Sequence, residues 1–297
     1  MSDFQPSRAY RTQVRAVQRL SQTFLRVTLH APDLRHFGTA GLDQRLKIVL
    51  PRPDGVVPDF GLFDEPRPAL MQWYTRWREL PDDQRNPIRT YTARAVRPEL
   101  CEVDIDFVIH GDTGPATRWV TQAKCGDELI IVGPDSRSQA VANRGVEWHP
   151  DGATQVLIVG DETAAPAICS ILENLPAHFT GHAIIEVPDA SDCLEISIPS
   201  QVQQRWLARG NAPVGTLLQP AVVELCATQN LAQVVTDPNP QELLWEVSHQ
   251  PDAEAYAWLA GEAGVINALR RHLVREVGMQ RRSVAFMGYW RHGRPES

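Results

Sequence analysis

Two rhythms of apolar and polar residues divide the chain. From Tyr10 to Pro134 the apolar positions come in short alternating runs, as in Glu102-Val103-Asp104-Ile105-Asp106-Phe107. Such alternation marks antiparallel strands with one face in a core. It predicts strands around Val14-Arg15-Ala16, over Phe24–Leu29, Arg45–Leu50, Arg89–Arg94 and Glu102–Ile109, and a closing strand ending at Pro134. A short helix opens at Ala116, behind Gly114-Pro115. After Asp151 the pattern changes to continuous apolar runs, Gln155–Gly160 and His182–Val187, separated by a helical stretch over Ala167–Asn174. That is the grammar of a βαβ unit with a buried parallel sheet. Ala255–Gly264 repeats it, followed by a helix over Val265–Val277 with Ile266, Leu269 and Leu273 in one stripe, then a last strand, Val284–Trp290. Gln201–Leu207 reads as a short helix or strand, Leu217–Ala227 as a helix, Leu243–Val247 as an edge strand. The prediction is a six-stranded antiparallel β-barrel in residues 1–145, then an α/β/α parallel-sheet module in residues 152–297.

The stretch from Pro51 to Pro87 fits neither rhythm. It is rich in proline and carries Trp73, Tyr74 and Trp77. A helix over Ala69–Leu80 would bring Met71, Tyr74, Trp77 and Arg78 together as a cover packed on the barrel.

Composition changes this picture only by exclusion. The net charge is −7 and no long basic run occurs, which argues against nucleic acid as a partner. Lys47 and Lys124 are the only lysines. Five scattered cysteines, with no C-x-x-C pair, read as thiols in a reducing compartment. No apolar run approaches the ~20 residues of a membrane-spanning helix, and the N-terminus carries no signal-peptide pattern. The expectation is a cytoplasmic monomer, with no metal site.

Candidate chemistry centres on Arg89-Thr90-Tyr91-Thr92-Ala93-Arg94. Strand alternation puts Arg89, Tyr91 and Ala93 on one face and Thr90, Thr92 and Arg94 on the other. An arginine beside a tyrosine can hold a flat aromatic ligand and meet its phosphate, and the Thr92 hydroxyl can bond a polar edge. The helix entry at Gly114, Pro115, Ala116 and Thr117 presents unpaired N–H groups suited to a diphosphate. In the second half, Gly160-Asp161-Glu162-Thr163 falls at the carboxyl end of a buried strand, where α/β sheets bind ligands. It lacks G-x-G-x-x-G, and its two acids would repel a diphosphate. Thr163 is the candidate contact there and Asp161 reads as structural. Lys47 points opposite to Leu46 and Ile48.

Taken together, these motifs resemble the siderophore-interacting proteins, FAD-dependent ferric-siderophore reductases of the ferredoxin-reductase-like superfamily. The resemblance runs through Trp73–Pro81, R-x-Y-T at Arg89–Thr92, Asp106–Trp119, G-D-E-T-x-x-P-A-I from Gly160, A-G-E-A-G from Ala260, and Gly288-Tyr289-Trp290-Arg291. It implies FAD held in the barrel by Arg89, Thr90, Tyr91, Thr92, Asp106, Val108, His110, Gly114, Pro115, Ala116 and Thr117. It implies NADH or NADPH on the second module near Thr163, Glu262 and Trp290, and a ferric siderophore met by Lys47 and Arg291. Hydride would pass from NAD(P)H to the flavin, and single electrons from there to Fe(III), with no side chain needed as acid or base. Two other readings remain open at this stage. One is an NAD(P)H–flavin electron-transfer reductase that does not act on iron chelates. The other is a siderophore- or FAD-binding protein without turnover.

Overall fold

β1 (Ser7–Arg19) shows how the first unit is built. Its residues 7–13 pair with β7 and its residues 13–19 with β2. A bulge between Val14 and Ala16 bends it between its two partners. The other elements of this unit are β2 (Phe24–His30), β3 (Arg45–Val49), α1 (Leu70–Glu79), β4 (Ile88–Thr92), β5 (Ala95–Arg97), β6 (Glu102–Val108), α2 (Pro115–Gln122) and β7 (Glu128–Pro134). All of this is a computed structural model, which describes residues 4–293 apart from 53, 58, 110–113, 140–144, 229–244 and 247–253.

The first sheet has the order β4-β3-β7-β1-β2-β6-β5. Its pairings are antiparallel throughout. It therefore has seven strands where the sequence predicts six, because the R-x-Y-T stretch makes two. The segment 88–97 pairs first with β3 and then, past Ala93 and Arg94, with β6. Ala93 N–H donates to Gln44 on one side and Arg94 N–H to Asp104 on the other. One extended segment thus supplies both edges of the sheet, and the sheet curls into a half-barrel around it. The inside is filled by Val27, Leu29, Leu46, Ile48, Val103, Ile105, Phe107 and Ile131, among others. The outside of β1, β3, β4 and β7 is also apolar, at Ala9, Val49, Ile88, Ile130 and Val132. Phe60, Leu62, Trp73 and Trp77 cover that patch, so α1 is a packed cover, but its buried face runs through Trp73 and Trp77, one turn apart, with Tyr74 half-buried, while Met71 and Arg78, expected on that face, are exposed. The Trp77 indole donates to the Asn86 carbonyl at 3.0 Å, which pins the cover to the entry of β4.

The second unit contains β8 (Gln155–Gly160), α3 (Ala165–Asn174), β9 (Thr180–Val187), β10 (Gln201–Ala208), α4 (Leu218–Thr228), β11 (Trp245–Glu246), β12 (Ala255–Glu262), α5 (Ala263–Arg275) and β13 (Val284–Trp290). Its sheet order is β10-β9-β8-β12-β13-β11. The neighbours from β10 to β13 are parallel, and β11 is an antiparallel edge. The chain steps from β8 to β9 in one direction and from β12 to β13 in the other. Right-handed crossovers then put α3 and α5 on opposite faces. One face buries Leu157, Val159, Leu259 and Phe286 under Leu218 and Val222 of α4 and Ile266, Leu269 and Leu273 of α5. The carboxyl ends of β8 and β12 lie side by side where the order reverses, the position at which open α/β sheets take ligands. Compact units break between Val146 and Glu147. No helix of the described residues is long and apolar enough to cross a membrane.

Candidate functional site

In the first unit the strand β4 and the start of α2 are joined by rings. Tyr91 packs on Phe107 with ring centroids 4.6 Å apart, and Phe107 on Trp119 of α2 at 5.9 Å. Tyr91 thus leans inward against the barrel core while staying half exposed. Arg89 is half exposed on the same face, its guanidinium donating to the Ile88 carbonyl at 2.9 Å. Thr92 is buried opposite Arg45, and Thr90 is exposed opposite Lys47. The Lys47 ammonium donates to the Thr90 hydroxyl at 3.2 Å and stands 6.0 Å over the Tyr74 ring of α1.

α2 begins at Pro115 with Gly114 as its N-cap, and no side chain caps it. Its first turn therefore keeps backbone donors, at Ala116 and Thr117, with no capping side chain. A Cβ placed on Gly114 would meet nothing within 4 Å among the described residues. An anion with several acceptor oxygens fits this end of α2, and a flat ring fits beside Tyr91. Both halves of FAD find matching chemistry on this unit. Val108 ends β6, paired with Phe24. The Asp106 carboxylate is fully buried, held by both nitrogens of an Arg26 fork at 2.6 and 2.8 Å and by Arg94 at 3.6 Å. Its oxygens are committed to those arginines, and none faces solvent. His110 lies outside the described residues.

In the second unit Thr163, Glu262 and Trp290 converge on Asp161. The Asp161 carboxylate is 1% exposed. Its Oδ1 accepts from the Thr163 N–H at 2.9 Å and the Thr163 hydroxyl at 2.5 Å. Its Oδ2 accepts from the Glu262 N–H at 2.7 Å and the Trp290 indole at 2.8 Å. Burial pushes this carboxyl up to about 6, with the Glu162 charge adding to it and the donated hydrogen bonds opposing. Glu162, fully buried, takes both arms of Arg209 at 2.6 and 2.7 Å. Glu186, also fully buried, accepts from the N–H groups of Gly215, Leu217 and Leu218 at 2.6 to 3.0 Å, ahead of α4. It lies 3.8 Å from Arg209. The Glu262 carboxylate caps α5 through the Val265 N–H at 2.9 Å. The starts of α4 and α5 are thus filled by the protein's own carboxylates, whereas α3, like α2, begins with no side-chain cap. Arg291 is exposed just beyond β13.

Glu186 and Arg209 escape sequence reasoning, although a signal for the first exists. Glu186 is a lone acid inside the apolar run Ala183-Ile184-Ile185-Glu186-Val187, where an unpaired charge would be costly.

Residues 13–138 match the model of a siderophore-interacting FAD-binding domain, and residues 153–293 that of a siderophore-interacting protein. The chain is 28% identical to the ferric vibriobactin reductase ViuB of Vibrio cholerae over 277 residues, covering 93% of this chain and 87% of that one. It is 34% identical to the NADPH-dependent ferric-chelate reductase of Escherichia coli over 162 residues, 54% of each chain. The crystal structure of the siderophore-interacting protein SipS from Aeromonas hydrophila superposes with a TM-score of 0.68 at 30% identity, over 97% of this chain and 94% of that one.

Proposed function

We propose a function from one premise: the chain belongs to the siderophore-interacting protein family. FAD is its cofactor, and we infer NAD(P)H as its source of electrons from the likeness to an NADPH-dependent ferric-chelate reductase. The reaction we infer is the reduction of Fe(III) in a bound siderophore to Fe(II), one NAD(P)H serving two ferric chelates with release of NAD(P)⁺ and a proton. Iron in the lower oxidation state is held weakly by oxygen-rich chelators and leaves.

The observation that carries this reading is the start of α2 at Gly114, which no side chain caps, tied by the Trp119–Phe107–Tyr91 row to the R-x-Y-T strand. Bound there, FAD supplies the ability to take two electrons together and give them up singly. The chain's own residues bind and orient. Amides of Ala116 and Thr117 take the diphosphate, Arg89 adds charge, Tyr91 offers a ring face and Thr92 a hydroxyl. Lys47 stands on the outer face of β3 beside Thr90 and Tyr74 and meets the anionic chelate. Arg291, exposed on the second unit, is a further candidate cation for an anionic ligand. Pyridine nucleotide meets the carboxyl edge of β8 and β12 near Thr163, Glu262 and Trp290. Its diphosphate must keep clear of Asp161 and Glu162, since both acids are held there by the fold. We place the reaction in the cytoplasm, consistent with the absence of a disulfide among the described residues.

Purified protein is expected to be yellow and to release FAD on denaturation. Anaerobic mixing with NADPH or NADH should bleach the flavin, and a ferric siderophore should restore its colour. Replacing Lys47 with Ala should raise KM for the ferric chelate about tenfold, as expected when one charge-assisted contact is lost, and leave FAD bound. Unaltered kinetics in that variant would remove Lys47 from the chelate site. A wild-type flavin that neither nucleotide bleaches would end the reductase reading.

A further inference from the structure

We propose that Asp161 is a positioning residue of the carboxyl-edge site: its two oxygens hold the Thr163 turn, the end of β12 and the Trp290 indole in one arrangement. The inference rests on the reading that pyridine nucleotide meets the second unit at this edge.

Four donors reach this one carboxylate, two on each oxygen, from the turn after β8, the end of β12 and the end of β13. Only an acceptor-only group satisfies all four. An asparagine would turn an NH₂ toward either the Thr163 pair or the Glu262–Trp290 pair, leaving buried donors opposed. The backbone around it is shaped to the carboxylate. Gly261 sits at φ +144°, and a Cβ there would come within 2.6 Å of Asp161 Oδ2. Gly160, on the other side, would place a Cβ 2.8 Å from the Ala260 carbonyl, so β8 and β12 close tightly just below.

The charged surroundings make this an expensive group to keep. Glu162 faces it from its own turn, and Arg209, beyond β10, answers Glu162 more directly than Asp161. From β12 the Glu262 carboxylate is turned to Val265 and the His292 N–H. From β13 comes the Trp290 indole, with the His292 ring beyond it at 6.5 Å. A carboxyl raised to about 6 favours the fold when protonated, so its stabilising contribution is full below its ordinary value of 3.8 and is lost as pH rises to about 6. At neutral pH the ionised group therefore works against stability. Its positioning role has the opposite sign: all four bonds are made above about 6, and protonation turns one oxygen into a donor below it. Such a group, at the edge where pyridine nucleotide is proposed to bind, is a candidate for a functional role beside the geometry above.

The test uses the FAD-loaded enzyme with Asp161→Asn. The ¹⁵N-labelled indole N–H of Trp290, assigned through Trp290→Phe, should be slow to exchange in wild type and shift with a midpoint near pH 6. In Asp161→Asn it should move, exchange faster and lose that midpoint. KM for NADPH and NADH should rise about tenfold or more, as for loss of bonds to a charged acceptor, while kcat and the KM for ferric chelate hold. Wild-type KM for nucleotide should rise as pH falls through the same midpoint. Should Asp161→Asn fail to fold, Trp290→Phe keeps a smaller aromatic ring, deletes the donor, and should raise the nucleotide KM by itself. An indole signal indifferent to Asp161→Asn, or a nucleotide KM indifferent to either variant, overturns the proposal. A wild-type flavin untouched by both nucleotides instead overturns the reductase reading, and the kinetic half of this one with it. The indole signal then decides alone whether Asp161 sets Trp290.

Discussion

Gly114→Asp is expected to yield a well-folded protein that has lost its FAD. Gly114 lies at φ −134° and ψ 158°, extended backbone open to any residue, and a Cβ there meets nothing within 4 Å among the described residues. An aspartate would accept from the free amides of the first turn of α2 and face its positive dipole end. Relative to glycine that gains a few tenths of a kcal/mol in the cofactor-free protein. The same carboxylate would occupy the place proposed for the diphosphate and repel it. Two charges about 5 Å apart at an effective dielectric constant of about 20 oppose each other by roughly 3 kcal/mol. FAD affinity should fall at least about 100-fold, read by equilibrium dialysis or by quenching of flavin fluorescence, with no loss in the thermal midpoint of the cofactor-free form. Gly114→Asn separates charge from shape: it caps without charge and should cost about tenfold or less. Equal FAD affinity in Gly114→Asp and wild type would show that the start of α2 is not where the diphosphate rests, and the flavin assignment of that helix would fall.

The second large effect is one of stability. Arg209→Met should destabilise the second unit by about 3–5 kcal/mol, the cost of stranding buried charge. Arg209 is the cation set against Glu162 and Glu186, both fully buried, with Asp161 close by. Methionine keeps the bulk of the stem and removes the fork. Urea unfolding reports the loss, and hydrogen exchange in β8, β9 and β12 assigns it to this unit. FAD affinity should stay as it was, since the proposed flavin contacts lie in the first unit. Adding Glu162→Gln should return part of the loss, with a coupling of at least about 1 kcal/mol, because the stranded acid is then neutral. A single variant as stable as wild type would mean that the acids are solvated or paired in some other way.

Much of this was legible in the residue pattern, for a simple reason. Alternating Glu102–Phe107 has to be a strand with one apolar face, and unbroken Gln155–Gly160 has to be a buried one. Those periods follow from backbone geometry and water alone. The two-module plan, the cover formed by α1 and the family resemblance rest on such local signals. So do the strand status of R-x-Y-T and the helix start at Gly114-Pro115, since proline fixes its own φ and lacks the N–H that a helix interior needs.

What the chain order could not display is which side chains meet across it. That 88–97 is one segment serving both edges of a sheet depends on how far the sheet curls, a sum of small twists over seven strands. Asp106 reads as a residue near the cofactor, but pairing of β6 with β2 sets it against Arg26, 80 positions away. Asp161, Glu262 and Trp290 lie up to 129 positions apart and share one pair of oxygens only because parallel strands end together. Periodicity tells a residue which face it occupies. Only the folded chain, by excluding water and lining up strand ends, decides which buried charge finds which partner.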